Sequence, residues 1–235
     1  MSDLVYGRNP VRELIAARRR PVLEVLALAE LVDAPWLTPY AARPRSRAEL
    51  ARACGSGDHQ GVVAFCGPYP YADAAEVLAA DGPVVCLDGA QDPRNLGAVA
   101  RVAEACGAAG LVIPERGGPG VTPVVAKASA GAVEHLRIVR AGNLASFVHD
   151  ARGPERWAVG ADPEAGEDYR RVAWDPDVVL VLGAEGRGLR PRVRAACDRL
   201  VRIPMRGRVD SLNLSVAAGV LLFEAVRSVD SGDDR

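Results

Sequence analysis

The segment from Val178 to Ala218 constrains the fold of this chain more than any other. It begins with a short apolar run, 178–182, which predicts a fully buried strand. A glycine-containing loop, a helix over 191–197, a second strand over 200–204 and a second polar loop follow. Two buried strands that each end in a polar loop are typical of an open α/β sheet, in which ligands bind beyond the carboxyl ends of the strands. The alternative interpretation is that both loops are ordinary turns.

The same alternation of strands and helices extends over most of the chain. It predicts an α/β fold whose mainly parallel sheet carries helices on both faces. Further helices are predicted over 9–17, 35–42 and 123–132, and a Ser46–Glu49 capping box predicts another one. The predicted organisation is a small α/β domain at 1–66, a linker at 67–82, a large domain at 83–229 and an acidic tail at 230–235.

Composition excludes several classes of protein. Five cysteines without a C-x-x-C spacing, among 235 residues, indicate reduced thiols and a cytoplasmic protein without a zinc site. The three histidines lie far apart in the sequence, so no metal is expected. No apolar run approaches the roughly 18 residues of a membrane span, and no signal peptide is recognisable. A formal net charge of -1 does not by itself indicate a nucleic-acid partner.

Arginines form two clusters in the first 66 residues. Arg18, Arg19 and Arg20 end a predicted helix, where they can stabilise its dipole or contact RNA phosphates. Arg43, Arg45 and Arg47 form the second cluster. Both interpretations of these clusters stay open at this point.

A third polar loop follows the predicted strand at 84–87 and leads into a helix that runs to Cys106. The apolar residues of this helix share one face, and Arg101 points away from them. An arginine on an exposed helix face is usually only solvated. Its position after a loop at the carboxyl end of a strand favours a functional role.

Three blocks together resemble the SpoU/TrmH family of RNA ribose 2′-O-methyltransferases. They match the family in order and spacing across residues 83–228. The blocks are Asp92-Pro93-Arg94-Asn95-Leu96-Gly97 followed by Arg101; Leu182-Gly183-Ala184-Glu185-Gly186-Arg187-Gly188-Leu189; and Ile203-Pro204-Met205 with Ser211-Leu212-Asn213-Leu214-Ser215-Val216-Ala217.

This resemblance implies a trefoil-knotted α/β domain that forms homodimers and binds S-adenosylmethionine as methyl donor, without a metal. The apolar helix at 215–226 would supply part of the dimer interface. The cofactor contacts implied by the family are Gly183, Ile203 and Leu212, with Leu182 and Met205 beside them. Gly183 is expected to leave room for the adenosine.

The family's catalytic residues correspond to Asn95, Arg101, Glu185, Ser211 and Asn213. Because a guanidinium is effectively never deprotonated in proteins, Arg101 is expected to clamp the phosphate beside the target ribose. The proton of the ribose hydroxyl could then pass to a substrate phosphate, to water or to an unusually perturbed Arg101.

The first domain resembles the ribosomal-protein-like substrate-binding domain of one family subgroup. Tyr6-Gly7-Arg8-Asn9-Pro10-Val11 and His59-Gln60-Gly61 carry this resemblance. That subgroup methylates a guanosine of large-subunit (23S) ribosomal RNA. The RNA contacts expected here are Arg8, Arg18, Arg19, Arg20, Arg43, Arg45, His59 and Arg94.

Several other functions are compatible with parts of this sequence. A same-fold enzyme could act on tRNA or confer resistance to a ribosome-targeting antibiotic. A non-catalytic RNA-binding assembly factor is disfavoured because Asn95, Arg101 and Ser211 are intact. A dinucleotide-dependent oxidoreductase is disfavoured because the glycines at 183, 186 and 188 are in the wrong order for G-x-G-x-x-G.

Overall fold

The computed structural model describes residues 3–154, 156–175, 177–184 and 186–230, with the backbone alone at 228–230. These residues form two β-sheets, and every helix described below packs around one of them or joins them. The two sheets follow one another along the chain.

The first sheet contains four strands in the order β1-β4-β2-β3. Strand β4 runs antiparallel to both β1 and β2. Helix α2 begins with the predicted capping box, in which Ser46 and Glu49 exchange hydrogen bonds. The elements are β1 (Asp3–Tyr6), α1 (Arg8–Ala17), β2 (Val22–Ala27), β3 (Arg43–Pro44), α2 (Arg47–Cys54) and β4 (Val62–Cys66).

The second sheet contains seven strands in the order β7-β6-β5-β10-β8-β11-β9. Every described pair of neighbouring strands in it is parallel. The strands are β5 (Val84–Asp88), β6 (Gly110–Pro114), β7 (Ile138–Ala141), β8 (Ala158–Ala161), β9 (Glu167–Asp168), β10 (Val179–Gly183) and β11 (Arg199–Arg202). The short helix α3 (Ala74–Leu78) lies in the connection between the two sheets.

Helices cover both faces of the second sheet, because successive strand residues point to opposite sides. In β5, Val85 and Leu87 join the apolar core that contains residues of α4 and α8, whereas Val84 and Cys86 join the core that contains residues of α6 and α7. This arrangement confirms the predicted α/β class with a mainly parallel sheet. The helices are α4 (Pro93–Ala105), α5 (Pro123–Ala128), α6 (Leu144–Ala151), α7 (Pro191–Ala196) and α8 (Leu214–Asp230).

Two helices are shorter than predicted. The helix expected over 123–132 ends at Ala128, because the backbone at Ala130 and Gly131 is left-handed, and a separate 3-10 turn, Ala132–Glu134, follows. The helix expected over 35–42 is only a 3-10 turn, Thr38–Tyr40.

The two sheets share one apolar core. Strand β1 lies against α5, and α1 lies against the turn at 132–134. Val5 and Leu14 of the first unit belong to the same buried cluster as Val125 and Val133 of the second. The residues predicted to form a linker take part as well, since the hydroxyl of buried Tyr69 donates a hydrogen bond to the Val133 carbonyl oxygen at 2.7 Å. The first unit is therefore packed onto the second.

Arg20 lies inside this junction, which corrects its predicted role in RNA binding. It is 8% exposed, and its Nε and Nη2 donate to the carboxylate of Glu134, itself 1% exposed, at 3.1 and 2.5 Å. Its Nη1 donates to Asp3 and to the Gly67 carbonyl oxygen, both at 3.2 Å. Burial alone would lower the pKa of Arg20, but its hydrogen bonds to Glu134 and the negative charge there outweigh burial and raise it. The guanidinium stays charged and fully engaged within the protein.

Two further residues predicted to bind RNA are also engaged internally. Arg19 donates from Nη1 to the Leu136 carbonyl oxygen at 2.8 Å and from Nη2 to that of Pro70 at 3.3 Å. His59 is 2% exposed, and its Nδ1 accepts a hydrogen bond from the Gly61 amide at 3.0 Å. His59 is buried and Arg19 is only partly exposed, so these internal hydrogen bonds do not support direct RNA contact by either side chain.

All five cysteines are free thiols. Burial raises the pKa of Cys66 to about 11, that of Cys106 to about 11 and that of Cys197 to about 12. These three thiols are therefore protonated at neutral pH and are poor nucleophiles.

Candidate active site

The loops that carry the three blocks meet at the carboxyl edge of the second sheet. Strands β5 and β10 are neighbours, and the last residue of one, Asp88, pairs in register with the last residue of the other, Gly183. Residues 89–92 and 184–190 leave these two strands, and 203–213 leaves β11. Because all strands of the sheet run in the same direction, the three loops converge at one edge, as the sequence predicts.

A hydrogen bond joins the first block to the third. Asn213 donates from Nδ2 to Oδ1 of Asn95 at 3.1 Å. The Oδ1 atom of Asn213 accepts from the amide and hydroxyl of Ser215 at 3.0 and 2.6 Å, and it so caps the first turn of α8. Two of the residues predicted to be catalytic are therefore in direct contact, although they are 118 positions apart.

Gly183 is required by the shape of its own loop. A Cβ atom at this position would lie 2.2 Å from the carbonyl carbon of Gly188 and 2.5 Å from the amide nitrogen of Leu189. The loop folds back through a bridge between Ala184 and Gly188. The sequence predicts a glycine that leaves room for the cofactor, and the structure supplies a second reason, which is contact between main-chain segments.

The sequence analysis missed a buried carboxylate at this edge. The side chain of Asp88 is 0% exposed and accepts hydrogen bonds from both the amide nitrogen and Nε of Arg190, each at 2.6 Å. This pair closes the loop at 184–190 onto the end of β5. The available signal was an acidic residue that ends an otherwise apolar strand, VVCLD.

Arg101 is exposed on α4 and lies eight residues after its start, about 12 Å along the helix axis. In the described part of the chain, the side chain of Arg101 forms no hydrogen bond or ion pair. Helix α4 is held against α5 by close contact at Gly97, where a Cβ atom would lie 2.6 Å from that of Ala128. Arg94 is exposed on the same face as Arg101, two turns earlier. The structure does not bring Arg101 into contact with the pair formed by Asn95 and Asn213.

Ser211 and Glu185 are the remaining residues that were predicted to be catalytic. Ser211 is exposed, and its hydroxyl donates to the carboxylate of Asp210 at 3.2 Å. Glu185 lies outside the described residues.

The loop at 203–213 fits a cofactor that is held by main-chain groups. Among the described residues, the amides of 205–212 donate no hydrogen bond, so these donors are available to a ligand. Met205 is 37% exposed, and Ile203 and Leu212 are partly exposed. The side chain of Leu182, in contrast, is buried in the core at 1% exposure, so this residue can offer a cofactor only its main chain.

Three of the arginines predicted to bind RNA, Arg8, Arg18 and Arg43, are exposed on the first unit, and Arg45 is partly exposed. Arg43 pairs with Glu24 at 2.9 Å, and Arg8 donates from Nε to the Gln60 carbonyl oxygen at 3.2 Å. Surface pairs of this kind contribute little to stability, so these side chains can exchange their partners for phosphates.

Within the described ranges, no cluster of histidine, cysteine, aspartate or glutamate side chains is arranged to hold a metal ion. None of the described helices combines the length and the apolar character that a membrane span requires.

Comparison with known proteins identifies the family. Residues 82–223 match the model of the SpoU rRNA Methylase family. YacO of Bacillus subtilis (strain 168), assigned to the TrmH family of tRNA/rRNA methyltransferases, is 44% identical over 246 residues, covering 96% of this chain and 95% of its own length. The chain belongs to the SpoU family of S-adenosylmethionine-dependent RNA 2′-O-ribose methyltransferases.

Solved structures agree with this assignment. The SpoU methyltransferase AviRb from Streptomyces viridochromogenes, in complex with the cofactor AdoMet (S-adenosylmethionine), superposes with a TM-score of 0.83 at 26% identity, over 98% of this chain and 91% of its own. An RNA 2′-O ribose methyltransferase superposes with a TM-score of 0.78 at 27% identity, over 96% of this chain and 88% of its own. Both similarities extend through the first unit as well as the second.

Proposed function

We propose that this enzyme methylates the ribose 2′-hydroxyl of a guanosine in 23S ribosomal RNA. The observation that carries the proposal is the attachment of a small arginine-bearing α/β unit, through a shared core, to the unit that holds the three methyltransferase blocks. The motifs of the small unit resemble those of the substrate-binding domain in the subgroup that methylates such a guanosine. We further propose that this unit has the ribosomal-protein-like fold.

The proposed division is a substrate-binding domain at 1–66, a connection at 67–82 and a methyltransferase domain at 83–229, followed by an acidic tail at 230–235. The knot implied by the family is proposed for the methyltransferase domain. Packing of α8 against both α4 and β10 supports it, because the last helix is then held against elements from much earlier in the chain. A ribosomal RNA substrate is consistent with the predicted cytoplasmic location.

The proposed chemistry assigns separate tasks to the residues at the carboxyl edge. S-adenosylmethionine supplies a sulfonium methyl group, and its contacts would be the main chain at Leu182 and Gly183 and the residues Ile203, Met205 and Leu212. Transfer to a hydroxyl oxygen requires in-line geometry, so the ribose must be held firmly.

Arg101 is proposed to hold the phosphate next to the target ribose, because its guanidinium is exposed and can form a bidentate contact. Asn95 and Asn213 would hold the start of α4 and the end of the third loop together through their hydrogen bond. Ser211 and Glu185 are proposed to act near the ribose and the second loop.

The proposed RNA surface of the first unit consists of Arg8, Arg18, Arg43 and Arg45, with Arg94 at the edge of the second sheet. Arg12 extends this surface along α1, where its guanidinium lies 5.0 Å from the centre of the Trp36 ring. The Trp36 ring is partly buried against the core, and an arginine beside a partly exposed aromatic ring is a combination that binds both the phosphates and the bases of RNA.

Methylation mapping tests the proposed target. The purified enzyme is incubated with methyl-labelled cofactor and either an unmodified 23S RNA transcript or a mixture of tRNA transcripts, and the 2′-O-methylated nucleotide is identified. We expect one guanosine of the 23S transcript to be labelled. Labelling of tRNA alone, or of a nucleotide other than guanosine in 23S RNA, would show that the enzyme belongs to another specificity group.

The proposed homodimer rests on helix α8. Val216 and Phe223, which are 50% and 54% exposed, lie seven residues apart on this helix and so share a face. We expect sedimentation at micromolar concentration to show a dimer, and Phe223→Asp to shift it to a monomer because an unpaired charge at the centre of an apolar interface opposes association. Leu23→Asp, at a site that is 60% exposed on the first sheet, serves as the control and should leave the dimer intact. A wild-type monomer would contradict the proposal.

A further inference from the structure

Arg190 differs from the other exposed arginines at the carboxyl edge because one side of its guanidinium is held in place. The buried carboxylate of Asp88 accepts from both the amide nitrogen and Nε of Arg190, each at 2.6 Å. These two bonds fix the first part of the side chain against the ends of β5 and β10. The side chain is nevertheless 59% exposed.

The two terminal nitrogens of this guanidinium are free to bind a ligand. Within the described residues, neither Nη1 nor Nη2 of Arg190 forms a hydrogen bond or an ion pair. A guanidinium whose Nε edge is occupied still presents two N–H groups in a planar arrangement, which matches two oxygens of a phosphate. Since the side chain is already ordered, binding costs less conformational entropy than at a mobile surface arginine.

The position of Arg190 places it beside the proposed methyl-transfer site. Asp88 is in register with Gly183, and the loop that begins after Asp88 leads directly to Arg94 and Asn95. The side chain of Ala184 lies 3.7 Å from the position of a Cβ atom built on Gly89, so the loops of the first and second blocks are adjacent. Arg190 therefore emerges where an RNA strand that reaches this edge would pass.

We propose that Arg190 binds a backbone phosphate of the substrate RNA and that Asp88 is the residue that positions it. The inference rests on the RNA substrate of the family and not on the proposed ribosomal guanosine. It assigns a function to a buried carboxylate that none of the three motif blocks contains. Asp88 acts through Arg190 and does not itself contact the RNA.

The test compares Arg190→Gln with Arg192→Gln, which removes the same charge from an exposed arginine two residues away on α7. RNA affinity is measured across a salt series with both 23S and tRNA transcripts, so that failure of the ribosomal target does not prevent the comparison. We expect Arg190→Gln to weaken binding about tenfold. The slope of log affinity against log salt should fall by about 0.7 to 0.9, the value for one lost phosphate contact. Arg192→Gln should leave this slope at the wild-type value.

A purely structural role for Arg190 predicts a different pattern. Arg190→Gln keeps the hydrogen bond from the backbone amide of residue 190 to Asp88, so the loop stays closed. We therefore expect the affinity for S-adenosylmethionine to change less than about twofold. An unchanged salt slope, an equal effect of Arg192→Gln, or a loss of cofactor affinity as large as the loss of RNA affinity would each overturn the proposal.

Asp88→Asn tests the positioning role separately. An amide oxygen can still accept one hydrogen bond, but the guanidinium loses its ionic partner while keeping its charge. We expect Asp88→Asn to lose less RNA affinity than Arg190→Gln does. Combining Asp88→Asn with Arg190→Lys should restore neither activity nor RNA affinity, because an ammonium does not reproduce the planar fork of a guanidinium. Wild-type RNA affinity in Asp88→Asn would overturn the assignment of Asp88.

Discussion

Replacing Arg101 with alanine is expected to lower the rate of methyl transfer by about 10³-fold or more, the effect of removing an arginine that stabilises a phosphate in other transfer enzymes. The affinity for S-adenosylmethionine should stay within about twofold of the wild-type value, because Arg101 is not one of the proposed cofactor contacts and lies on α4, about 12 Å along the axis from the start of that helix. Single-turnover methylation of RNA and calorimetry with the cofactor measure the two quantities separately.

Two variants of the same helix complete this experiment. Glu104→Ala removes another exposed charge from α4 and should leave turnover nearly unchanged. Arg101→Lys keeps the positive charge and loses the planar fork, so it should recover only a small part of the rate. Substantial turnover by Arg101→Ala would show that the phosphate is held by other groups.

Replacing Arg20 with alanine is expected to destabilise the protein by about 3–5 kcal/mol, because it leaves the carboxylate of Glu134 buried without its partner. The side chains of Arg20 and Glu134 are 4% and 1% exposed, so water cannot replace the lost contact. Urea denaturation of the full-length protein measures this loss. Arg20→Met combined with Glu134→Met should recover part of it, since the pair is then replaced by apolar groups, although the Gly67 carbonyl oxygen loses a donor.

The ion pair between Arg43 and Glu24 is the matched control. It has a similar distance, 2.9 Å, but its side chains are 66% and 37% exposed. Arg43→Ala should therefore cost less than about 1 kcal/mol. Equal destabilisation by Arg20→Ala and Arg43→Ala would mean that burial of the junction pair has no energetic consequence.

The sequence predicted most of the second sheet because its strands are short apolar runs that end in polar loops. The runs at 84–87 and 178–182 appear as β5 and β10, each shifted by no more than one residue at either end. The order of polar loops along the chain also predicted that the three blocks would meet, because parallel strands bring their carboxyl ends to one edge.

The sequence could not predict which arginines face inward. Arg18 and Arg20 are two residues apart, and no local pattern separates the exposed one from the buried one. Glu134, the partner that holds the Arg20 side chain inside the protein, lies 114 positions further along the chain. The pairing of Asp88 with Arg190 spans 102 positions and was missed for the same reason.

Helix α5 touches both the first unit and the helix that carries Arg101. Strand β1 lies against α5, and α5 lies against α4 at the close contact of Gly97 with Ala128. The first unit is thus not an interchangeable attachment. An exchange of first units between members of this family would have to carry residues 123–136 along with residues 1–82, because residues 123–136 contact both the first unit and the helix of Arg101.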